Sequence, residues 1–131
     1  MITHPLELLA CAIATQEGWF VRAALPFLRN NPGDLTYAGQ VGASRVSGSP
    51  IAAFSSPALG LTALFRQLWL QVAQGQTVTE IIYQWAPPAA NNSAAYLADV
   101  LAWTGLPADV PVLSLLPPLT QLNTARLENF L

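Results

Sequence analysis

The chain has no lysine, one cysteine, one histidine and only 9% charged residues, and each shortage removes a class of function. A single thiol, Cys11, forbids an internal disulfide, and its place in a first apolar helix predicts a packed core cysteine. One histidine, His4, near the N-terminus leaves neither a metal site nor a Ser-His-Asp or Cys-His arrangement to assemble, and no cofactor is expected. Thr3, His4 and Pro5 read as a helix start instead. The five basic residues, Arg22, Arg29, Arg45, Arg66 and Arg126, are dispersed, and the formal net charge is −2. A surface that tracks phosphates needs clustered positive charge, so nucleic acid is not an expected partner. Long apolar runs are absent too. Val112 to Leu119 is broken by prolines, and no stable membrane insertion is expected.

What is present is apolar bulk: 131 residues, 53% of them hydrophobic, enough for one core and a single domain. Leu8-Leu9-Ala10-Cys11 resembles a lipoprotein cleavage box. No basic residue precedes it and the apolar segment before it is too short for a signal, so the expectation is synthesis without an export signal. Leu6, Leu9, Ile13 and Phe20 recur at helical spacing and predict a first helix within residues 1–20. Residues 29–56 are punctuated by Pro32-Gly33, Gly39, Gly42, Gly48 and Pro50, which predicts a turn-rich hairpin lobe with strands at Leu35-Thr36-Tyr37 and Ile51-Ala52-Ala53-Phe54.

Residues 57–105 read as a helical lobe. Ser56-Pro57 starts a central helix with Leu61, Leu64, Phe65, Leu68 and Val72 on its buried face, stopped at Gly75. Thr77-Val78-Thr79-Glu80 fits a capping box for a short helix through Ile81, Ile82 and Trp85, ended by Pro87-Pro88. Ser93, with Asn92 before it, caps a helix carrying Tyr96, Leu97, Val100 and Leu101 that closes near Gly105. A Pro-rich connector and a C-terminal helix with Leu119, Leu122, Leu127 and Phe130 fill 106–131. The fold class expected is α+β, mainly helical, with a cleft between a small β-hairpin lobe and a helical lobe.

The residue that stands out chemically is Glu17. Four residues after Ile13, it lies on or beside the apolar stripe at the end of the first helix. Desolvation and the negative end of the helix dipole both disfavour its anion, so its pKa is expected to be raised. A carboxylic acid that keeps its proton near neutral pH can protonate the leaving oxygen of a glycosidic bond. The plainer alternative is a surface glutamate in a last turn.

Asn31-Pro32-Gly33-Asp34 reads as a β-turn with Pro32 at the second position and Gly33 supplying positive φ at the third. Asn30 and Asn31 offer amides to a sugar, while Arg29 is a candidate salt-bridge partner. Asp34 is either a second carboxylate or a turn aspartate bonded to its own backbone. Trp69 and Trp103 are expected in the core; Trp19 and Trp85 are the better candidates for stacking on sugar rings. Tyr96 is a packing residue whose hydroxyl, if it reaches Glu17, would orient the acid.

Ala12-Ile13-Ala14-Thr15-Gln16-Glu17-Gly18-Trp19, Arg29-Asn30-Asn31-Pro32-Gly33-Asp34-Leu35 and Tyr37-Ala38-Gly39-Gln40 together resemble small phage and prophage lysozyme-like proteins. Phe54-Ser55-Ser56-Pro57 with Gly60, Trp85-Ala86-Pro87-Pro88 with Asn91-Asn92 and Tyr96, and Glu128-Asn129 extend the likeness over nearly the whole chain. The family form has three asparagines before Pro-Gly, where this chain has Arg29-Asn30-Asn31, and a Ser-Glu pair where it has Ala89-Ala90. The resemblance implies a lysozyme-like fold and cleavage of the β-1,4 bond between N-acetylmuramic acid and N-acetylglucosamine in peptidoglycan. Glu17 would be the acid, with Asp34, Tyr37 or Tyr96 as a possible second group. Trp19, Asn30, Asn31, Gly33, Gln40, Trp85 and Asn92 are the candidate substrate-binding residues.

Without the family's second acid, a lytic transglycosylase route served by one glutamate is the expected chemistry, with muramidase-type hydrolysis alongside it. The implied partners are glycan strands and phage virion components. Such an endolysin would be made in the bacterial cytoplasm and reach the cell wall after holin release or on a phage particle. A noncatalytic phage structural or wall-binding protein on the same scaffold is the alternative, suited to the low charge.

Overall fold

A computed structural model describes residues 4–117 of the chain. About half of them are helical, with one two-stranded antiparallel sheet. The first helix, α1 (Pro5–Gln16), starts as its residues dictate. Pro5 fills the first turn and the His4 Nδ1 accepts the Leu6 N–H at 3.2 Å. It stops four residues short of the expected Phe20, which is 70% exposed. The chain turns at Gly18, φ +87, a conformation other residues adopt with strain. Cys11 is exposed, not packed, because Leu6, Leu9, Ala10 and Ile13 hold the buried side. A single helical turn not anticipated from the sequence, α2 (Leu25–Leu28), follows.

The hairpin pairs β1 (Ala43–Val46) with β2 (Ser49–Phe54). The second expected strand is therefore present, with β1 as its hairpin partner, while Leu35–Tyr37 makes only a single bridge and forms no strand of its own. That segment lies beside β2 through the Thr36 to Ile51 bridge and two hydrogen bonds, Tyr37 N–H to Pro50 O and Ala52 N–H to Leu35 O. Gly48 supplies the positive φ needed for the tight turn joining β1 and β2, and this local turn brings 43–46, not 35–37, into the hairpin.

Helix α3 (Pro57–Ala73) is capped by Ser56, α4 (Val78–Trp85) by the Thr77 and Glu80 capping box, and α5 (Ser93–Thr104) ends at left-handed Gly105. Asn92, not Ser93, caps α5; Ser93 is buried and donates its hydroxyl to the Ala86 carbonyl. A 3-10 turn, Val112–Leu115, lies within the Pro-rich connector. The expected C-terminal helix and Glu128-Asn129 lie outside the described residues.

Helices α1, α3, α4 and α5 enclose the main core, in which Leu9, Ile13, Leu64, Leu68, Val72, Ile81, Ile82 and Val100 are fully buried. Helix α1 packs chiefly on α5 and α3. Leu61, Trp69 and Trp103, expected inside, are exposed. The core-facing arc of α3 is occupied by Gly60, Ala63, Leu64, Leu68, Gln71 and Val72, and that of α5 by Ser93, Tyr96 and Val100. A smaller cluster of Ala52, Phe54 and Ala63 ties the hairpin to α3. Here Gly60 is indispensable, since a Cβ would overlap the carbonyl oxygen of Asn30. Among the described residues no helix is long and apolar enough to cross a membrane.

Candidate functional site

Glu17 is the C-cap residue of α1, with its N–H bonded to the Ile13 carbonyl at 2.9 Å. Its half-buried side chain accepts the Tyr96 hydroxyl at Oε2, 2.8 Å away. Tyr96 is only 6% exposed on α5, so the bond joins two helices whose packing fixes it. Burial withdraws the carboxylate from water and lifts the pKa of Glu17 from 4.5 to about 7. The Tyr96 hydrogen bond opposes that rise by favouring the anion, and the charge of Asp34 adds to it. Tyr96 is itself driven upward, by burial first and then by the charge and hydrogen bond of Glu17. At neutral pH the phenol is therefore the donor and the carboxyl the group poised to change charge.

Asp34 closes the turn Asn31-Pro32-Gly33-Asp34, its N–H bonded to the Asn31 carbonyl at 3.1 Å. The left-handed conformation falls on Asp34 itself (φ 50) and on Asn30 (φ 52), not on Gly33 as the turn pattern suggests. Asx residues tolerate that region better than other side chains. Gly33 is needed for room: a Cβ there would meet the Trp85 ring at 3.0 Å and Leu64 at 3.1 Å. The Trp85 indole N–H donates to the Gly33 carbonyl at 2.9 Å, fixing the ring against the turn. The pKa of Asp34 is raised by burial, against the pull of the Arg29 guanidinium. Arg29 also donates to Ser49 Oγ at 3.2 Å.

A cavity of about 410 Å³ opens between this turn and the helices. Asp34, Thr36 and Gln40 line one side; Gln67 and Gln71 of α3 and Gln84 and Trp85 of α4 line the other. Glu17 is not among its lining residues. The electrostatic link between the two is Asp34, which borders the cavity and whose charge acts on both Glu17 and Tyr96.

Other candidates have structural duties. Asn31 is fully buried, donating to the Leu35 and Ala52 carbonyls at 3.0 and 2.9 Å and accepting the Leu35 N–H at 2.9 Å. It is a brace between turn and β2, with no amide left for a ligand. Asn30 donates to Phe54 O at 3.0 Å, Gln40 bridges Ala38 and Thr36, and Asn92 caps α5. Trp19 packs on the core and near Phe27, ring centroids 6.2 Å apart. Tyr37 lies under the Arg45 guanidinium, 4.4 Å from the ring centre, at a separate cavity of about 350 Å³.

Comparison of the chain with protein-family models, curated proteins and solved structures gives no match.

Of the glutamines lining the cavity, Gln40 was singled out from the sequence, and Gln67, Gln71 and Gln84 were not. A signal existed: Gln67 and Gln71 are four residues apart, among Leu64, Leu68 and Val72 on the stripe that α3 turns inward, and Gln71 is only 5% exposed. A buried amide in such a stripe requires partners. Those partners, on α4 and the α3 to α4 loop, are separated from it in sequence and come together only in the fold.

Proposed function

We propose that this chain is a lysozyme-like peptidoglycan glycosidase in which Glu17 acts as general acid and then base. The supporting observation is the 2.8 Å bond from a buried tyrosine to a half-buried carboxyl whose pKa is raised to about 7. A proton held at that value is available near neutral pH, and its loss leaves a base of matched strength. Glu17 protonates the glycosidic oxygen as the bond to the muramic acid C1 breaks. Its anion then takes the proton of the same sugar's 6-hydroxyl as that oxygen bonds to C1, leaving a 1,6-anhydro end. Tyr96 holds the carboxylate in place through both half-reactions. Muramidase-type hydrolysis differs only in that water replaces the 6-hydroxyl. Asp34, whose charge adds to the rise in the pKa of Glu17, helps keep Glu17 protonated more than it supplies a second catalytic group.

A specific observation favours the second reading, a noncatalytic phage structural or wall-binding protein. Phe20, Val21, Leu25, Phe27 and Leu28, immediately after the acid, are all exposed, as befits a surface that is covered in an assembly. Mass spectrometry of purified peptidoglycan after incubation with wild type and Glu17→Gln decides between them. Anhydro ends made only by wild type identify a transglycosylase, and reducing ends a hydrolase. No product from wild type overturns the catalytic reading.

A further inference from the structure

The separate cavity of about 350 Å³ is built by the β1 to β2 hairpin and the segment beside it, and it presents hydrogen-bond donors around a positive charge. Arg45 sits where the pairing register shifts between Ser44 and Val46, the kind of irregularity that re-aims a side chain. Its guanidinium lies over the Tyr37 ring, and Tyr37 is tied to β2 by its N–H to the Pro50 carbonyl at 2.9 Å. Stacking fixes the plane of the cation and leaves its edge open. No described residue hydrogen-bonds or ion-pairs with it. Ser49 Oγ accepts from Arg29 Nη1 and from the Ile51 N–H, both at 3.2 Å. Those two bonds occupy both lone pairs of the oxygen, so the hydroxyl can act toward a ligand only as a donor. The Arg29 charge on the same oxygen strengthens that donor. Acidic residues outnumber basic ones in the chain, seven to five, yet none lines this cavity.

We infer that Arg45 and Ser49 form a binding site for the C-terminal carboxylate of a peptide, with the last side chain of that peptide against Val46 and Pro50. Three observations select this ligand. The open edge of a guanidinium held flat by stacking is a two-point fork that matches a planar carboxylate, and the Ser49 hydroxyl adds a third donor. Val46 and Pro50 supply apolar wall beside the donors, which suits a carboxylate borne on a small apolar residue and gives nothing to a phosphate, polar on every side. The space, about 350 Å³, is within the range of small-ligand sites. The inference goes beyond the glycan-cleaving reading. It uses neither Glu17 nor the cavity beside Asp34, and it stands or falls whether or not the chain cleaves a wall.

The test is an NMR titration of the full wild-type chain at pH 7 in about 20 mM salt, where screening is slight, following the backbone amides of Ser47, Gly48 and Ser49. The probes are N-acetyl-alanyl-alanine in its all-L and all-D forms, the C-terminal amide of each, and inorganic phosphate. The free acid of at least one form is expected to bind about tenfold more tightly than its amide, as charge-assisted hydrogen bonds allow over neutral ones. Arg45→Gln should erase that ratio, and Arg45→Lys, which keeps the charge without the fork, should restore only part of it. Arg45 is exposed and forms no hydrogen bond, so both variants should fold. Arg22→Gln removes the same charge from an exposed residue outside the cavity and should leave the ratio intact. Equal binding of acid and amide in both forms, no binding of any dipeptide, or a ratio unmoved by Arg45→Gln overturns the site. So does an equal loss in Arg22→Gln, which would reduce the effect to net charge, or tighter binding of phosphate, which would make the carboxylate and its apolar neighbour irrelevant. Wall cleavage is read separately, in Glu17→Gln, and its absence leaves the ratio as it was.

Discussion

Replacing Glu17 by Gln should make the protein more stable at alkaline pH and leave it unchanged in acid. The wild-type carboxyl has a folded pKa of about 7 against an ordinary value of 4.5. Between those values the folded state binds the proton more than the unfolded state does. Stability from this group is thus fully present below about pH 4.5 and is lost as pH rises through about 7. At about 1.4 kcal/mol per pKa unit the full loss is on the order of 3 kcal/mol, and partial contact with solvent reduces it to roughly 2 kcal/mol. Gln keeps the shape and can still accept the Tyr96 hydroxyl, yet never ionises. Urea unfolding from pH 4 to pH 8.5 should give superimposed midpoints in acid and a variant more stable by roughly 2 kcal/mol at the alkaline end, with equal m-values. A difference independent of pH, or a variant less stable at pH 8.5, would refute the claim that burial dominates at this carboxyl.

Two substitutions should move the titration of Glu17 in opposite directions, followed by carbon NMR of its carboxyl. Tyr96→Phe removes the one interaction that favours the anion, so the pKa should rise above about 7; Asp34→Asn removes a charge that disfavours it, so the pKa should fall. If Glu17 is the acid, the alkaline limb of wall cleavage should shift with them. Asn31→Ala leaves the Ala52 carbonyl of β2 and the Leu35 N–H without their partner and the Leu35 carbonyl with the Ala52 N–H alone, and should destabilise by about 3 kcal/mol in urea unfolding; a change under 1 kcal/mol would deny Asn31 its bracing role. Gly60→Ala puts a Cβ onto the Asn30 carbonyl, part of the backbone. It should lower stability by about 4 kcal/mol or more or prevent folding, whereas Gly75→Ala at an open site should lose no more than about 1–2 kcal/mol, the strain of positive φ. Comparable melting temperatures for the two variants would count against the close approach at Gly60.

Much of the scaffold was legible because its signals are local. The Ser56-Pro57 start, the Thr77 to Glu80 capping box and the Gly105 stop satisfy orphan backbone groups within a few residues, so their pattern and their structure coincide. The strand at 51–54 was legible for the same reason. Its partner was not, since 35–37 and 43–46 both lie close in sequence and only the turn at Gly48 decides which continues the hairpin. Helix periodicity located the cores of α3 and α5 but not their exact arcs. A rotation of tens of degrees exchanges Leu61 for Gly60 and Ala63, and exposes Trp69 and Trp103. The same uncertainty placed Cys11 inside.

The candidate site divides along the same line. The position of Glu17 at a helix end beside an apolar stripe, the turn formed by Asn31 to Asp34, and the poverty of histidine, lysine and cysteine are properties of the chain as written. Only tertiary structure could join Glu17 to Tyr96 across 79 positions, consume Asn31 as a buried brace, assign Gly33 to make room for Trp85, and align the glutamines of α3 and α4 around one cavity. Hydrogen-bond partners and desolvation depend on which surfaces meet, and that is settled by the packing of helices, not by the order of residues within any one of them.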